Sequence, residues 1–528
     1  MAERSGFLRS SALISAGVLL SRLTGLARTL LLIAVLGNSA LADVYTFANN
    51  VPNLFYELLA GGVLSAVLLP LFVDLVRRDD HEASSAVVSV AVGALAAITV
   101  AGVVAAPALA WAIASISGGG DRATQQAAFT VLLRWFIPQV FFYGLITVMT
   151  ALLQARRRFA AAAFAPVLNN MVVIGTYLLV RRVSSLDLAQ ASLPAALAEP
   201  WTVAVLGLGT SAGVAVSALA MLPALRRARL KLRFRFDWRD PALSRLRVAA
   251  RGALGYVLVS QIGVTITSVL ANTFKQEGEF AAYSYSGLLF FVAYGLLVVS
   301  ITTALGPELA TAAQTGDDAG LRREWLRGLR LIVLLMAPAS AALWVLAGPL
   351  MRSLPFTAEG ARLTAQLFRY FTLGLLPFSV TQHVVRAFYA LAETGPPFRL
   401  AVVQYGVVVG LGVVASPLFG VPGLSIAYVV AYAVSGVVAF SWFAHRLGRL
   451  RFSEVAVLPR MVGAALAMAA VVAASQALLG WGERSVSAPW ACVVGIAAGA
   501  FAYPGFLWAL RADGDLRALL AVVRRLAR

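Results

Sequence analysis

Two arginines, Arg22 and Arg28, stand in the middle of the first apolar run of a 528-residue chain. An ionisable side chain at mid-bilayer depth costs about 2.5–3.5 kcal/mol on insertion scales, so it needs a polar partner or a water-filled path. Six residues of α-helix set the two about 9 Å apart along the axis and about 120° apart in rotation, and Gly25 between them allows close packing or a bend. Planar guanidinium groups facing a cavity offer bidentate donors suited to a phosphate or pyrophosphate. An internal ion pair, for example with Asp43 or Glu57, is the competing arrangement. The chain has 24 Asp and Glu against 43 Lys and Arg, too few to neutralise every buried arginine, which favours the pathway.

The second apolar run carries Asp43, Asn49, Asn50, Pro52, Asn53, Glu57, Gly61 and Gly62. A proline inside a span frees a backbone carbonyl, and neighbouring amides can satisfy it or a ligand, so this helix is expected to break or bend toward a polar cavity. Asn53 and Glu57 are candidate substrate contacts on that cavity. Glu57 pairs with a first-helix arginine or carries a proton. Asp43 lies near the outer end, where gating, an ion pair, or plain solvation and helix capping would each account for it. The polar residues in apolar runs of the second half are Gln261, Asn272, Gln382, His383 and Arg386. Arg386 either lines the pathway or snorkels from its helix end. His383 either titrates or serves as a hydrogen-bonded packing residue. Lys275 and Glu277 belong to an outer loop and are expected to be solvated.

The elements that hold these residues follow from composition. The chain is 60% hydrophobic and 13% charged, far from the roughly 45–50% and 25% of soluble domains. Apolar runs recur near 10–36, 42–76, 84–116, 124–154, 160–180, 201–225, 248–274, 279–312, 328–353, 362–392, 398–417, 422–445, 457–480 and 488–510. They predict an all-α polytopic membrane protein with about fourteen transmembrane helices. The first run continues to Gly37 with two arginines inside it, so it is expected to be a helix, not a signal peptide. A net charge of +19 would suggest nucleic acid in a soluble protein. Here the basic residues cluster in alternate short connections, as topology signals facing anionic lipid do, with no nucleic-acid groove. Arg156, Arg157 and Arg158, and the stretch from Arg226 through Lys231 and Arg235 to Arg251, are the strongest such markers. They place both termini in the cytoplasm.

A weak internal repeat divides the chain. Arg134 in Leu133-Arg134-Trp135-Phe136 matches Arg369 in Phe368-Arg369-Tyr370-Phe371 at an offset of 235 (369 − 134), and Pro70, closing the second helix, matches Pro307, closing the eighth, at 237 (307 − 70). A duplicated bundle of six helices inserts both copies the same way up, related by a pseudo-twofold axis along the membrane normal with a central site. The expected parts are an N-lobe over 1–240, a C-lobe over 241–455, and two further helices with a basic cytoplasmic tail over 456–528. Cys492 is the only cysteine, expected as inert packing, so no intrachain disulfide forms. The sequence contains no phosphate-cradling Gly-Lys-Ser/Thr loop, no His-rich metal set and no extramembrane acidic pair for glycosyl transfer. A transporter without catalytic residues, metal or cofactor is therefore expected, with a cell-envelope scaffold as the alternative from another class.

The pattern Ser21-Arg22-Leu23-Thr24-Gly25-Leu26-Ala27-Arg28, then Gly37, Ala42-Asp43, Pro52-Asn53, Gly61-Gly62 and Pro70, resembles the MurJ (MviN) family of bacterial lipid II flippases. Gln154 through Phe159, Pro166-Val167-Leu168-Asn169-Asn170 and Arg386-Ala387-Phe388-Tyr389-Ala390 extend the likeness over essentially the whole chain. The resemblance implies two six-helix lobes plus two helices, as in the multidrug/oligosaccharidyl-lipid/polysaccharide exporter superfamily. It implies alternating access in the bacterial cytoplasmic membrane, with a polyprenyl-pyrophosphate-linked saccharide as substrate and its tail along the last two helices. Arg22 and Arg28 match the family's first-helix arginines, and Asp43 its second-helix acid. Anionic membrane lipids and cell-wall synthesis proteins are the partners expected. A flippase for another polyprenyl-linked saccharide is the nearest alternative. The chain departs from the family at Thr29, where Asp is common, near Tyr56 or Glu57, where some members carry arginine, and near Gly287, where the eighth-helix arginine would fall.

Overall fold

The computed structural model describes residues 2–59, 68–117, 121–156, 158–228, 232–273, 277–448, 450–480 and 487–518, so Gly61, Gly62, Arg157, Lys231 and Lys275 lie outside it. By internal packing the chain forms two compact units, Met1–Ala281 and Ala282–Arg528.

The first unit contains α1 (Ala2–Leu36), α2 (Ala40–Glu57), α3 (Leu69–Arg77), α4 (His81–Ile116), α5 (Arg122–Phe136), α6 (Gln139–Ala155), α7 (Ala160–Val183), the short α8 (Leu193–Leu197), α9 (Pro200–Arg227) and α10 (Pro241–Asn272). Small residues set how closely these helices approach, as expected where lipid removes the hydrophobic drive between helices. A Cβ at Gly17 of α1 would lie 3.0 Å from that of Ala163 in α7, and one at Gly213 of α9 would lie 2.5 Å from Asn169 Oδ1. Polar groups then pair inside. The Tyr45 hydroxyl of α2 meets Tyr177 Oη of α7 at 3.0 Å and Thr210 Oγ1 of α9 at 2.7 Å.

Two expected breaks fall elsewhere. The second helix is continuous through Pro52, and its winding widens to a π-type turn only at 58–59. Pro52 is buried, and Asn49 and Asn53 beside it accept from Gln139 and Tyr143 of α6, which ties this stretch of helix to α6. Pro70 lies in helical backbone, with residue 68 before it already in a π-type turn and α3 running on to Arg77, so it does not close a helix. The fourth expected span is two helices, α5 and α6, broken at Ile137-Pro138.

The second unit carries α11 (Glu279–Gln314) from its second turn onward, then α12 (Asp318–Ser353), α13 (Ala358–Leu373), α14 (Leu375–Ala390), α15 (Gly395–Phe419), α16 (Val421–Arg446), the short α17 (Phe452–Val455), α18 (Val457–Leu478) and α19 (Ala488–Ala509). Pro307 falls inside α11, so it does not close that helix. Its core is aromatic: Phe290 stacks on Tyr432 at 5.7 Å, and Phe378 packs against both. The last two helices join through Gln476 Nε2 donating to Ala491 O at 3.0 Å, and dock on α12 through Tyr503 Oη donating to Leu334 O at 3.0 Å.

Among the described residues eleven helices are long and apolar enough to cross a membrane. The three other expected spans correspond to α2 with α3, between which 60–67 lie outside the described residues, to α10, whose described apolar stretch is Leu258–Asn272, and to α13 with α14, parted at Gly374. The described structure is all-helical, and the number fourteen is not reached by length and composition alone.

Candidate functional site

Arg22 and Arg28 are both half-buried on α1. The Arg28 Nη1 donates to Asn170 Oδ1 of α7 at 3.4 Å. Asn170, itself 6% exposed, turns its NH2 toward α1 and donates to Ser21 O at 3.1 Å and Thr24 Oγ1 at 3.0 Å. One amide therefore ties the helix turn between the two arginines and presents its oxygen to the second. Gly25 lies against this amide, where a Cβ would stand 3.5 Å from the Asn170 nitrogen, in ordinary contact. Among the described residues no carboxylate comes within ion-pair distance of either arginine.

The two acids proposed as partners are engaged elsewhere. Glu57, exposed at the end of α2, accepts from Gln261 Nε2 of α10 at 3.0 Å. Of the two readings for Glu57, the ion pair with a first-helix arginine is not formed. The Asp43 carboxylate caps the first turn of α11, accepting from the Gly278 N–H through Oδ2 and the Ala281 N–H through Oδ1, both at 2.7 Å. Gly278 is required here: its φ is +83°, and a Cβ would come within 2.2 Å of Asn38 O. These two amides are orphan donors of a helix start, and a carboxylate answers both their hydrogen bonds and the positive end of the dipole.

Asn53 faces a cavity of about 380 Å³ inside the first unit, built by α1, α2, α6, α7 and α9. Tyr143 Oη donates to Asn53 Oδ1 at 2.9 Å, and the rings of Tyr56 and Tyr143 lie 4.6 Å apart. Thr147, Thr150, Gln154, Asn169 and Ser217 complete the polar lining, and no lining residue is ionised at neutral pH. The arginines border this space without lining it. Val18 lines it one turn before Arg22, and Asn169 lines it beside the Asn170 that holds Arg28. The site thus pairs an uncompensated cation with a neutral chamber of hydroxyls and amides.

In the second unit, Arg386 is half-buried on α14. His383, one turn earlier and 1% exposed, bonds through Nε2 to Trp325 O at 3.0 Å and stacks on the Trp325 ring at 6.0 Å, which makes it a packing residue. Gly287 on α11 has nothing within 4 Å of where a Cβ would be, so the start of a side chain there meets open space. Sequence reading did not single out Asn170, Tyr143 or Thr150 for the site. The one signal for the first was the paired amide Asn169-Asn170 in an apolar span, while a lone tyrosine or threonine in such a span carries none.

The model of the lipid II flippase MurJ family matches residues 32–494. The lipid II flippase MurJ of Burkholderia cenocepacia is 28% identical over 529 residues, covering 95% of this chain and 97% of the relative. The probable lipid II flippase MurJ of Vibrio cholerae is 27% identical over 435 residues, covering 80% and 79%. A solved structure of lipid II flippase MurJ in an inward closed conformation superposes with a TM-score of 0.76 over 94% of this chain and 99% of that one, at 17% identity. An inward-facing multidrug resistance MATE family transporter of the MOP superfamily gives 0.64 over 81% and 94%, again at 17% identity. The fold is that of these transporters, and with a family match running from the end of the first helix into the last one, the chain belongs to the MurJ family of lipid II flippases.

Proposed function

We propose that this protein moves lipid II, a polyprenyl-pyrophosphate-linked saccharide, from the inner to the outer leaflet of the bacterial cytoplasmic membrane. Arg28 and Arg22 engage the pyrophosphate, and the neutral chamber beside them takes hydroxyl and amide groups of the headgroup. The observation that carries this reading is the Arg28–Asn170 contact. It supports a guanidinium positioned by a neutral amide and left with its full charge for an anion, beside a chamber without charges of its own. Charge-assisted bonds to a phosphate are roughly twice as strong as neutral ones, so the pyrophosphate anchors and the chamber discriminates.

Access alternates between the two membrane faces as two lobes, about 1–240 and 241–455, rock, while the helices of 456–528 bound the tail's path. Both termini are cytoplasmic. An interior-negative potential favours outward movement of an anion by about 2.3 kcal/mol per charge per 100 mV, which supplies a driving force without nucleotide hydrolysis. Arg386 and Asp43 serve as a second substrate contact and as a gate whose opening uncovers the first turn of α11.

The test is rescue of flippase-depleted bacteria at matched protein levels. Arg28→Ala and Arg22→Ala should each abolish rescue. Full growth with either variant refutes the pyrophosphate role. Native mass spectrometry of the gently extracted protein should find lipid II bound to the parent chain and lost from Arg28→Ala.

A further inference from the structure

The segment 232–240, between α9 and α10, has no regular secondary structure up to a turn at 238–239, and it alternates charge and aromatic ring: Arg233, Phe234, Arg235, Phe236, Asp237, Trp238, Arg239. It is not a loose loop. The Arg233 N–H donates to Ser85 Oγ at 3.1 Å and the Arg235 N–H to Ser89 Oγ at 2.9 Å. The Phe236 ring lies over Gly93, where a Cβ would come within 2.5 Å of Cε2. Ser85, Ser89 and Gly93 are spaced four residues apart on α4, which makes them one face of that helix. Small side chains on that face seat the backbone of the segment, and the two serines satisfy its alternate amides.

The rings are left outward. Phe234 is 82% exposed, Phe236 48% and Trp238 54%, and each touches the next, with centroids 6.2 Å and 5.3 Å apart. Three contiguous exposed aromatics are costly in water. Their position along α4 says what covers them. Seven, eleven and eighteen residues beyond Gly93 bring an α-helix back to within about 20° of the same face. Those residues are Val100, Val104 and Trp111, exposed by 64%, 75% and 58% in a membrane-spanning helix, and so facing acyl chains. The segment is therefore seated on the lipid-facing side of α4, about 10 Å from Val100 along the axis toward the helix start. That is where a span leaves the hydrocarbon, the depth that Trp and other amphipathic rings prefer. Arg235 is taken by Glu82 at 2.5 Å and Asp237 at 3.2 Å, while the exposed Arg233 and Arg239 have no carboxylate within ion-pair distance among the described residues.

We propose that 232–240 is a lipid-anchoring strap. Phe234, Phe236 and Trp238 enter the headgroup boundary of the leaflet at which α4 begins, and Arg233 and Arg239 bind anionic headgroups of that leaflet. The strap fixes the depth of the first unit against a membrane surface, and it is independent of the route the substrate takes.

Full-length protein carrying Cys492→Ala tests it, with a nitroxide placed at Phe234→Cys, at Ala319→Cys as an aqueous reference or at Val104→Cys as a lipid reference. Each is reconstituted in nanodiscs of phosphatidylglycerol with phosphatidylcholine, and accessibility to oxygen and to a water-soluble nickel chelate is read by power saturation. The label at 234 should be several-fold less accessible to nickel than that at 319, with oxygen accessibility between the two references. Removing phosphatidylglycerol, or adding Arg233→Gln with Arg239→Gln, should raise nickel accessibility at 234 and leave 104 unchanged. A label at 234 as open to nickel as that at 319 overturns the strap and leaves the exposed rings to a protein partner. Burial at 234 that ignores both lipid charge and the arginines overturns the headgroup assignment.

Discussion

Asn170 holds Arg28 without neutralising it: its amide oxygen accepts from the guanidinium at 3.4 Å while its NH2 is committed to Ser21 and Thr24. A carboxylate there would bind the arginine more strongly and cancel the charge that a pyrophosphate requires. Asn170→Leu keeps the branched shape of the side chain and deletes all three bonds. A hydrogen bond to a charged group contributes about 1.5–3 kcal/mol, so roughly a tenfold or greater fall in lipid II affinity is expected, with the protein still folded. Asn170→Asp should lose binding as well, through charge cancellation. Unchanged lipid binding in both variants would remove the amide from the mechanism.

The chamber's lack of charge gives a second prediction. Thr150→Trp fills space lined by Asn53, Tyr143 and Asn169 without adding a charge, and should reduce headgroup binding while leaving Arg28 in place. Inorganic pyrophosphate, which lacks the saccharide, should then bind the variant as it binds the parent chain. Equal losses for both ligands would mean that the chamber does not discriminate.

Capping by Asp43 is testable without transport. Asp43→Ala leaves the Gly278 and Ala281 amides without their acceptors, and loss of an N-cap typically costs about 0.5–2 kcal/mol. Hydrogen exchange at those amides should accelerate by up to roughly tenfold or somewhat more, since 1.4 kcal/mol is a factor of ten. Asp43→Asn, with one carbonyl oxygen, should fall between. Exchange equal to the parent chain's would show that another group caps the turn.

How far the sequence carries depends on the range of each interaction. Helix content, the apolar spans and the stranded charge of Arg22 and Arg28 are local properties of composition and spacing, and the described structure keeps the arginines without carboxylate partners. His383 also reads correctly as a packing residue, because a lone histidine in an apolar helix needs only one acceptor, here Trp325 O. The partners of Asp43 and Glu57 do not read locally. Gly278 is 235 residues from Asp43 and Gln261 is 204 from Glu57, so the sequence offers helix capping as one reading of Asp43 without showing which helix it caps, and the amide that meets Glu57 gives no local signal. Pro52 misleads in a related way: the helix runs through it, and Asn49 and Asn53 beside it are tied to α6 by partners 90 residues away in sequence.

Gly287 offers a substitution with a sharp outcome. Open space surrounds its Cβ position, and the family resemblance puts an arginine there. Gly287→Arg should fold and express as the parent chain does if that space is aqueous, and lipid II affinity should rise with the added donor. If the space is filled by acyl chains, insertion would cost about 2.5–3.5 kcal/mol and the protein would be lost from the membrane.

Outside the membrane, Glu199 caps the connection between α7 and α9. Hydrogen bonds from Ser185, Ser184 and Thr202 hold its carboxyl down at about 2, against an ordinary 4.5. A carboxylate whose folded pKa is depressed adds stability that is fully present above its unfolded value and is lost as pH falls toward the folded one. Glu199→Gln should therefore loosen the 184–202 connection at neutral pH, read as faster backbone exchange after correction for the intrinsic pH dependence. The gap between parent and variant should stay constant down to about pH 4.5 and narrow below it. Ser184→Ala with Ser185→Ala should move exchange in the same direction at neutral pH, because it removes two of the hydroxyl donors that hold the ionised carboxylate. A gap that widens on acidification would mean that the carboxylate opposes the fold of this connection and that its hydroxyl partners do not stabilise the ionised form.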